Sequence, residues 1–301
     1  MAAVHQLILS QGIEQARRQA SSKRERQVVE AAHAILSEDA ERIGFSYSGF
    51  AVTALPHKEP KESVWRRESP NQTLFLESGL DRNGQPIGLP HGSYARFILL
   101  FLQTQAIKTN SREVEMGKSM RVWMGSMGLS IGGATYKKVG EQAKRISTCR
   151  LTFFGSGGDQ DIRSAGGFVK TMITMSSFSG DPDQSSLWND KVLLDEDFYR
   201  ALQDHPVPIS ESALRAIGPR SLVIDIYIWL AYRLHSLKAS VDIGWPALKR
   251  QFGADYARSR RFREYFLECL ELAIAAYPDA RVSQSERGLM LHPSRPAIAK
   301  Q

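Results

Sequence analysis

Two clusters of basic side chains carry the strongest chemical signal in this sequence of 301 residues. The first lies between Gly133 and Arg150, and the second lies between Lys249 and Arg263. A lysine ammonium binds phosphate as a compact charge, and an arginine guanidinium forms paired hydrogen bonds with phosphate or guanine. These residue types favour contact with a polyanion over a catalytic role.

The first cluster lies on a predicted helix from Ala134 to Cys149. Val139, Ala143 and Ile146 recur every three or four residues and can face a core, which makes the helix amphipathic. The opposite face is basic with Glu141 as its single acid, whereas an ordinary solvated helix alternates its charges. We predict that this helix contacts DNA, with a solvated surface as the alternative. The predicted contacts are Thr135, Tyr136, Lys137, Lys138, Lys144 and Arg145.

The second cluster begins a predicted helix from Arg258 to Tyr277. The arginines in its first turns oppose the helix dipole, which favours negative charge at that end, and a bound polyanion would supply that charge. After Glu264 the helix becomes apolar, which predicts that its far end is packed. The predicted DNA contacts here are Lys249, Arg250, Arg258, Arg260, Arg261 and Arg263.

Both clusters lie in segments with the same predicted order of elements: an apolar helix, a short strand, two helices and a β-hairpin. This is the order of a winged helix-turn-helix domain, in which the second helix of the turn enters the major groove. The first segment has a helix at 94–107, a strand at 112–116, helices at 119–129 and 134–149, and strands at 150–154 and 167–175. The second has a helix at 219–237, a strand at 241–243, helices at 246–252 and 258–277, and strands at 281–285 and 289–291.

The two segments also share an internal spacing. Lys137 follows Arg96 and Arg261 follows Arg220 at the same distance, 41 residues (137 − 96 and 261 − 220). Chance could produce this spacing alone, but together with the element order it predicts a structural repeat. We expect an α+β fold of two tandem winged helix-turn-helix domains with an N-terminal helical and extended segment. The predicted division is an N-terminal helical arm at 1–45, a first winged-helix domain at 46–180, a connector at 181–217 and a second winged-helix domain at 218–301.

Other basic residues allow two interpretations. Those of the N-terminal helical segment either contact phosphates or form a solvated helix face, and they are Arg17, Arg18, Lys23, Arg24 and Arg26. Those of the predicted hairpins either act as DNA-contacting wings or are ordinary exposed charges, and they are Arg163, Lys170 and Arg287.

The composition and charge exclude some classes of protein. The chain is 42% hydrophobic and 24% charged, which is typical of a globular protein, and its length suits two domains. A formal charge of +7 fits a folded protein with positive faces, although an acidic small molecule or an anionic membrane would also tolerate it. The most apolar segment, 222–237, is short and contains Asp225 and Arg233, so we expect no membrane partner.

Motifs for ATP hydrolysis and for metal-dependent DNA nicking are missing from the sequence. Residues 132–137 lack the spacing of a phosphate-binding loop, and the seven histidines are scattered singly. Cys149 and Cys269 cannot complete a four-ligand zinc site or a disulfide framework, and this usage is typical of a reducing cytoplasm. We therefore expect a cytoplasmic protein that is not an enzyme and needs no cofactor or metal.

Several short motifs resemble one known family. They are Gly88 to Leu100, Gln103 to Ile107, Ser111 to Glu115, Gly133 to Tyr136, and Arg145 to Phe153. In these motifs the chain resembles plasmid-encoded RepA replication initiators, most clearly from about residue 88 to 155 and more loosely to about residue 293. The family motif covers Thr135 to Lys138, but the predicted base contacts there rest on helix position alone.

The resemblance implies a bacterial initiator that binds repeated double-stranded DNA sites (iterons) at a plasmid origin and recruits the host initiator and replicative helicase. It also implies monomers on iterons and homodimers that repress the initiator's own gene, through Thr73 to Leu76 and the helix that begins at Tyr94. A DNA-binding transcriptional regulator without a replication role is the alternative, and a DNA-nicking enzyme is a third hypothesis.

Overall fold

The structure, a computed structural model, describes residues 3–37, 42–69, 72–115, 125, 128–129, 132–157, 160–170, 191–253 and 256–298. The chain divides into two compact units. Unit 1 combines Met1–Gly44 with Val207–Gln301, and unit 2 comprises Phe45–Pro206. Unit 2 is therefore an insertion within the sequence of unit 1.

The elements formed by the described residues are numbered in chain order. The helices are α1 (Ala3–Gln11), α2 (Ile13–Gln19), α3 (Lys23–Leu36), α4 (Ser48–Val52), α5 (Gly92–Thr109), α6 (Gly133–Thr148), α7 (Glu196–Asp204), α8 (Glu211–Ile217), α9 (Ser221–Arg233), α10 (Trp245–Phe252) and α11 (Ser259–Ala275), with a 3-10 helix at Leu234–Ser236. The strands are β1 (Ile43–Tyr47), β2 (Val64–Ser69), β3 (Gln72–Glu77), β4 (Glu113–Glu115), β5 (Arg150–Gly157), β6 (Gln160–Gly167), β7 (Lys191–Leu193), β8 (Pro206–Ser210), β9 (Val241–Gly244), β10 (Val282–Gln284) and β11 (Gly288–Leu291). Helices and antiparallel strands are mixed, as in an α+β fold.

The N-terminal helices form one unit with the second basic cluster, and this differs from the predicted separate arm at 1–45. Helix α3 packs against α8 and α11, with Val29, Ala31 and Ala32 buried. The imidazole of His5 is fully buried, and its Nε2 lies 2.9 Å from the carbonyl oxygen of Ala275. The physical reason is that α3 carries an apolar face, which is stable only when other elements cover it.

The rest of unit 1 surrounds the apolar helix α9. Residues Leu222 to Ala231 are all buried, as expected for a helix that is apolar on every side. Strands β10, β11 and β9 form an antiparallel sheet in that order, with Leu289 opposite Ile243. A Cβ atom on Gly288 would lie 1.9 Å from the carbonyl oxygen of Ile243, so this pairing requires glycine. The sheet and α9 together fix the frame on which α10 and α11 lie.

Unit 2 contains a four-stranded antiparallel sheet of order β2-β3-β5-β6 and a separate pair, β4 and β7. On one face of the larger sheet Leu74 lies opposite Phe153 and Leu76 lies opposite Leu151, and all four are buried. Helices α5 and α6 pack against each other. The strand that follows α5, β4, pairs with β7, whereas the strand that follows α9 in unit 1, β9, pairs with the hairpin strand β11.

The first predicted hairpin differs from the observed one. The strand that pairs with β5 is β6, Gln160–Gly167, and the tip of this hairpin pairs Gly157 with Gln160. Most of the predicted strand at 167–175 lies outside the described residues. The described residues between the two predicted strands are extended, because β5 and β6 supply each other's backbone hydrogen bonds. The predicted helix at 119–129 falls largely outside the described residues.

Candidate nucleic-acid interface

Helix α6 of unit 2 has an apolar face on one side and a basic face on the other. Val139, Ala143 and Ile146 are buried, as the spacing predicted. The helix begins after Gly132 with no side-chain cap and no acid in its first turn, so its N-terminal amides and dipole are open to an anion. Among the predicted contacts, Thr135 and Tyr136 are half-buried and three residues are exposed, namely Lys137, Lys138 and Lys144.

Arg145 does not belong to this exposed face. It was predicted to contact DNA, but the structure buries its side chain. Its side chain is 7% exposed, and Nη2 lies 2.5 Å from a carboxylate oxygen of Glu59 and of Glu141. Its Nη1 donates to the carbonyl oxygen of Leu89 at 3.1 Å. The hydrogen bond from Arg145 also holds the pKa of Glu59 below its usual value. The guanidinium is thus occupied by the protein's own acceptors.

Helix α11 of unit 1 carries the second basic cluster at its N-terminus. Phe262 and Phe266 are fully buried, one helical turn apart, and they fix which side of the helix faces the core. The four arginines around them are exposed, namely Arg258, Arg260, Arg261 and Arg263. The first turn contains no acid, and no side chain caps it. The positive charges of these arginines, which the helix dipole disfavours at this end, are therefore exposed to solvent, as the sequence predicted.

The arginines of α11 have different local partners. Arg260 is 92% exposed, and its Nε lies 2.9 Å from Oε1 of Glu264. The guanidinium of Arg263 lies over the ring of Trp245, 5.5 Å from its centroid, so it is stacked and oriented. Among the described residues, Arg258 and Arg261 form no ion pair, which leaves their full charge for a ligand.

Helix α10 supports α11 more than it extends the basic surface. Lys249 is half-buried, and its Nζ donates to the carbonyl oxygen of Ala257 at 3.3 Å and to Oγ of Ser259 at 3.2 Å. It therefore tethers the start of α11, a role that the sequence prediction missed. Arg250, the other predicted contact on α10, is exposed.

An aromatic cluster fixes the angle between α10 and α11. The ring of Phe266 packs against those of Trp245, Phe252 and Phe262, with centroids 6.2, 5.5 and 5.4 Å away. A Cβ atom on Gly253 would lie 2.4 Å from the ring of Phe262, so the turn between the helices needs glycine for this close approach. The basic N-terminus of α11 is held rigidly by this packing.

The N-terminal basic residues are partly neutralised by the protein's own acids. Arg17 contacts Glu14 and Glu30, each at 2.7 Å. Arg24 bridges Glu268 and Glu271 on α11 at 3.2 and 3.4 Å. These pairs favour the interpretation of a solvated helix face for Arg17 and Arg24. On the hairpins, Lys170 and Arg287 are exposed, and the side chain of Arg163 lies outside the described residues.

Three properties of the described residues bear on other kinds of site. Among the described ranges, no group of three His, Cys, Asp or Glu side chains could hold a metal ion. Burial raises the pKa of Cys149 and of Cys269, so both remain protonated thiols at neutral pH. None of the described helices is both long enough and apolar enough to cross a membrane.

Comparison with known proteins gives a family and a fold. The family model described as plasmid encoded RepA protein matches residues 89–245, and no curated protein matches the chain. A crystal structure of domains 2 and 3 of RctB, a selenomethionine derivative, is similar with a TM-score of 0.51 and 12% identity, covering 84% of this chain and 99% of that one. A second structure of RctB domains 2-3 has a TM-score of 0.47 and 10% identity, covering 81% of this chain and 94% of that one.

The family match includes every described element from α5 to β9, and it ends at Trp245, the first residue of α10. It covers more than half of the chain and includes the motifs on which the sequence resemblance rested, from Leu89 to Phe153, with Gly88 just outside the match. That resemblance is confirmed: the chain belongs to the family of plasmid-encoded RepA proteins.

Proposed function

We propose that the protein is a plasmid replication initiator that binds repeated double-stranded DNA sites at the origin and catalyses no reaction. The observation that carries this proposal is the N-terminus of α11, where exposed arginines surround a dipole end with neither cap nor acid. Such an end is electrostatically unfavourable alone and favourable beside phosphates. Membership of the RepA family supports the replication role.

We further propose that each unit contains one winged helix-turn-helix module. In unit 1, α9, β9, α10, α11 and the hairpin β10–β11 follow the expected order, and β9 pairs with the hairpin. In unit 2, α5, β4, α6 and the hairpin β5–β6 follow this order, and the predicted counterpart of α10, at 119–129, lies largely outside the described residues; β4 pairs with β7. In this assignment α6 and α11 are the recognition helices, and the hairpins are wings.

The partners follow from the family. As a RepA protein, the chain would recruit the host initiator and replicative helicase, and homodimers would repress its own gene. The predicted dimer surface needs one adjustment, because Leu74 and Leu76 are buried while Thr73 and Phe75 lie on the other face of the strand. A transcriptional regulator without a replication role remains the second candidate, since a basic recognition helix suits both.

Binding should be tested with the full chain and labelled duplexes that tile the DNA flanking its gene. We expect a footprint on repeated sites, with an affinity that falls steeply as salt rises because counterions are released. Deleting the gene from a minimal plasmid then separates the two candidates: loss of plasmid maintenance supports an initiator, and normal maintenance supports a regulator. Relaxation of supercoiled origin DNA with Mg²⁺ or Mn²⁺ would instead indicate a nicking enzyme.

A further inference from the structure

The basic face of α6 contains an acid that does not neutralise it. Glu141 follows Lys137 by four residues and Lys138 by three, and it precedes Lys144 by three. Side chains at these spacings are neighbours on a helix surface, so a glutamate there ordinarily pairs with one of the lysines. Among the described residues, however, the ion pairs of α6 join Arg145 to Glu141 and to Glu59.

We propose that Arg145 is a positioning residue that separates the negative charge of Glu141 from the lysines of α6, an effect that we call charge sorting. It draws the carboxylate of Glu141 away from the lysines, so that all three present uncompensated charge to DNA phosphates. This inference rests on the proposed DNA binding of α6. It gives Arg145 a role in the basic surface without any contact between its own side chain and DNA.

The geometry explains why Arg145 competes successfully for Glu141. Its planar guanidinium is 7% exposed, and one nitrogen, Nη2, contacts carboxylates of both Glu59 and Glu141 at 2.5 Å. A poorly solvated cation attracts carboxylates more strongly than a lysine ammonium surrounded by water. The pair also has its acid four residues before its base, which is the favoured orientation on a helix.

The loop before α5 fixes Arg145 in this position. Its Nη1 donates to the carbonyl oxygen of Leu89 and lies 3.1 Å from Nδ1 of His91. Gly88 has a φ of +98°, and a Cβ atom there would lie 2.9 Å from Cζ of Arg145. The left-handed backbone conformation favours glycine here, and the guanidinium lies in the space that a side chain would otherwise occupy. The Gly88 to His91 part of the family motif thus packs directly on the arginine.

The test uses the full chain with Arg145→Met, Glu141→Gln and the double variant. In Arg145→Met, Glu141 is released and captures a lysine, so the slope of log affinity against log salt should become shallower by about 0.9, the value of one phosphate contact. Adding Glu141→Gln to Arg145→Met should restore the slope, because no carboxylate remains at that position. Arg200→Met is the matched control: Arg200 pairs with Glu196 at the same i,i+4 spacing on α7, and its loss should leave the slope unchanged.

A second measurement needs no DNA. The rate at which Lys137, Lys138 and Lys144 react with an amine-specific reagent can be followed by mass spectrometry, since an ion-paired ammonium loses its proton less readily. We expect Arg145→Met to slow at least one of these lysines by threefold or more, and the double variant to recover the original rate. If Arg145→Met fails to fold, Arg145→Gln replaces it, because an amide can still donate a hydrogen bond but carries no charge to hold the carboxylate of Glu141.

The two measurements separate the possible failures. If Glu141→Gln restores neither slope nor reactivity in the folded Arg145→Met protein, Arg145 acts only on stability and the inference is wrong. If reactivity is restored but the wild-type chain shows no salt-dependent DNA binding, charge sorting is correct and the proposed function of α6 fails.

Discussion

In unit 2 the exposed cations of α6 are lysines, and in unit 1 those of α11 are arginines. The glutamates on the two helices also have different partners. Glu141 pairs with the poorly exposed Arg145, whereas Glu264 pairs with the highly exposed Arg260. Lysine binds phosphate without directional preference, and arginine forms paired hydrogen bonds that distinguish guanine. If both helices bind DNA as proposed, this difference predicts that the lysines of α6 supply affinity and that the arginines of α11 supply sequence discrimination.

The largest effect should follow from replacing Arg260 and Arg261 of α11 with alanine. Two lost phosphate or base contacts should flatten the salt slope by about 1.8 and weaken specific binding by roughly 30-fold or more. Discrimination between a cognate and a scrambled duplex should fall in parallel. Anisotropy titrations at several salt concentrations measure both quantities, and an unchanged slope would remove these arginines from the interface.

Replacing Lys137 and Lys138 of α6 with alanine should have a smaller and different effect. Affinity should fall about tenfold for cognate and scrambled duplexes alike, and the slope should again flatten by about 1.8, because phosphate contacts carry no sequence information. The ratio of the two affinities should stay constant. A change in that ratio would contradict the assignment of Lys137 and Lys138 to phosphate contacts.

Exchanging arginine for lysine on α11, and lysine for arginine on α6, tests whether the type of cation matters at each helix. Arg261→Lys keeps the charge but loses the planar fork, so we expect about fivefold weaker binding to the cognate duplex and little change for a scrambled one. Lys138→Arg should alter neither affinity by more than about twofold. Similar losses for both variants would show that charge alone governs binding at both helices.

The smallest expected effects concern acid sensitivity, which should differ between the units. Burial lowers the pKa of His5 from 6.5, so the stability of unit 1 should decline as pH falls below 6.5 and continue to decline until the folded-state pKa. The hydrogen bond from Arg145 lowers the pKa of Glu59 from 4.5, so the corresponding loss in unit 2 begins only below 4.5. Glu59 is largely exposed, and its contribution should stay below about 1 kcal/mol.

Hydrogen exchange of the full chain, followed by mass spectrometry, can assign these losses to each unit. Between pH 7.5 and 5.5, protection should fall in unit 1 and not in unit 2. His5→Gln keeps an amide that can donate to Ala275 and should remove this dependence. Equal losses of protection in the two units over this range would contradict the assignment.

Local patterns predicted much of the secondary structure. Helix α6 was expected at 134–149 and covers Gly133–Thr148, and α5 was expected at 94–107 and covers Gly92–Thr109. These helices have strong apolar periodicity and clear limits, so neighbouring residues decide where they form. The exposure of Lys137 and Lys138 followed from the same periodicity.

The sequence could not predict features that depend on distant partners. Arg145 lies only one residue before the buried Ile146, but the acceptor that draws it inward, Glu59, is 86 positions away. The pairing of β4 with β7 likewise joins segments that are remote in sequence. Arg24 and Glu268 form an ion pair, although the whole of unit 2 lies between them in the sequence. Such contacts are set by tertiary packing, which short-range periodicity does not encode.

The insertion of unit 2 within unit 1 has a consequence for synthesis on the ribosome. All of unit 2 is contiguous and can fold as it emerges, but α3 must wait for α11, more than 200 residues later. At bacterial or eukaryotic translation rates this delay is roughly 10–50 s. Until α11 is made, the apolar side of α3 is only partly covered and can bind chaperones. The arginine-bearing unit is therefore completed last.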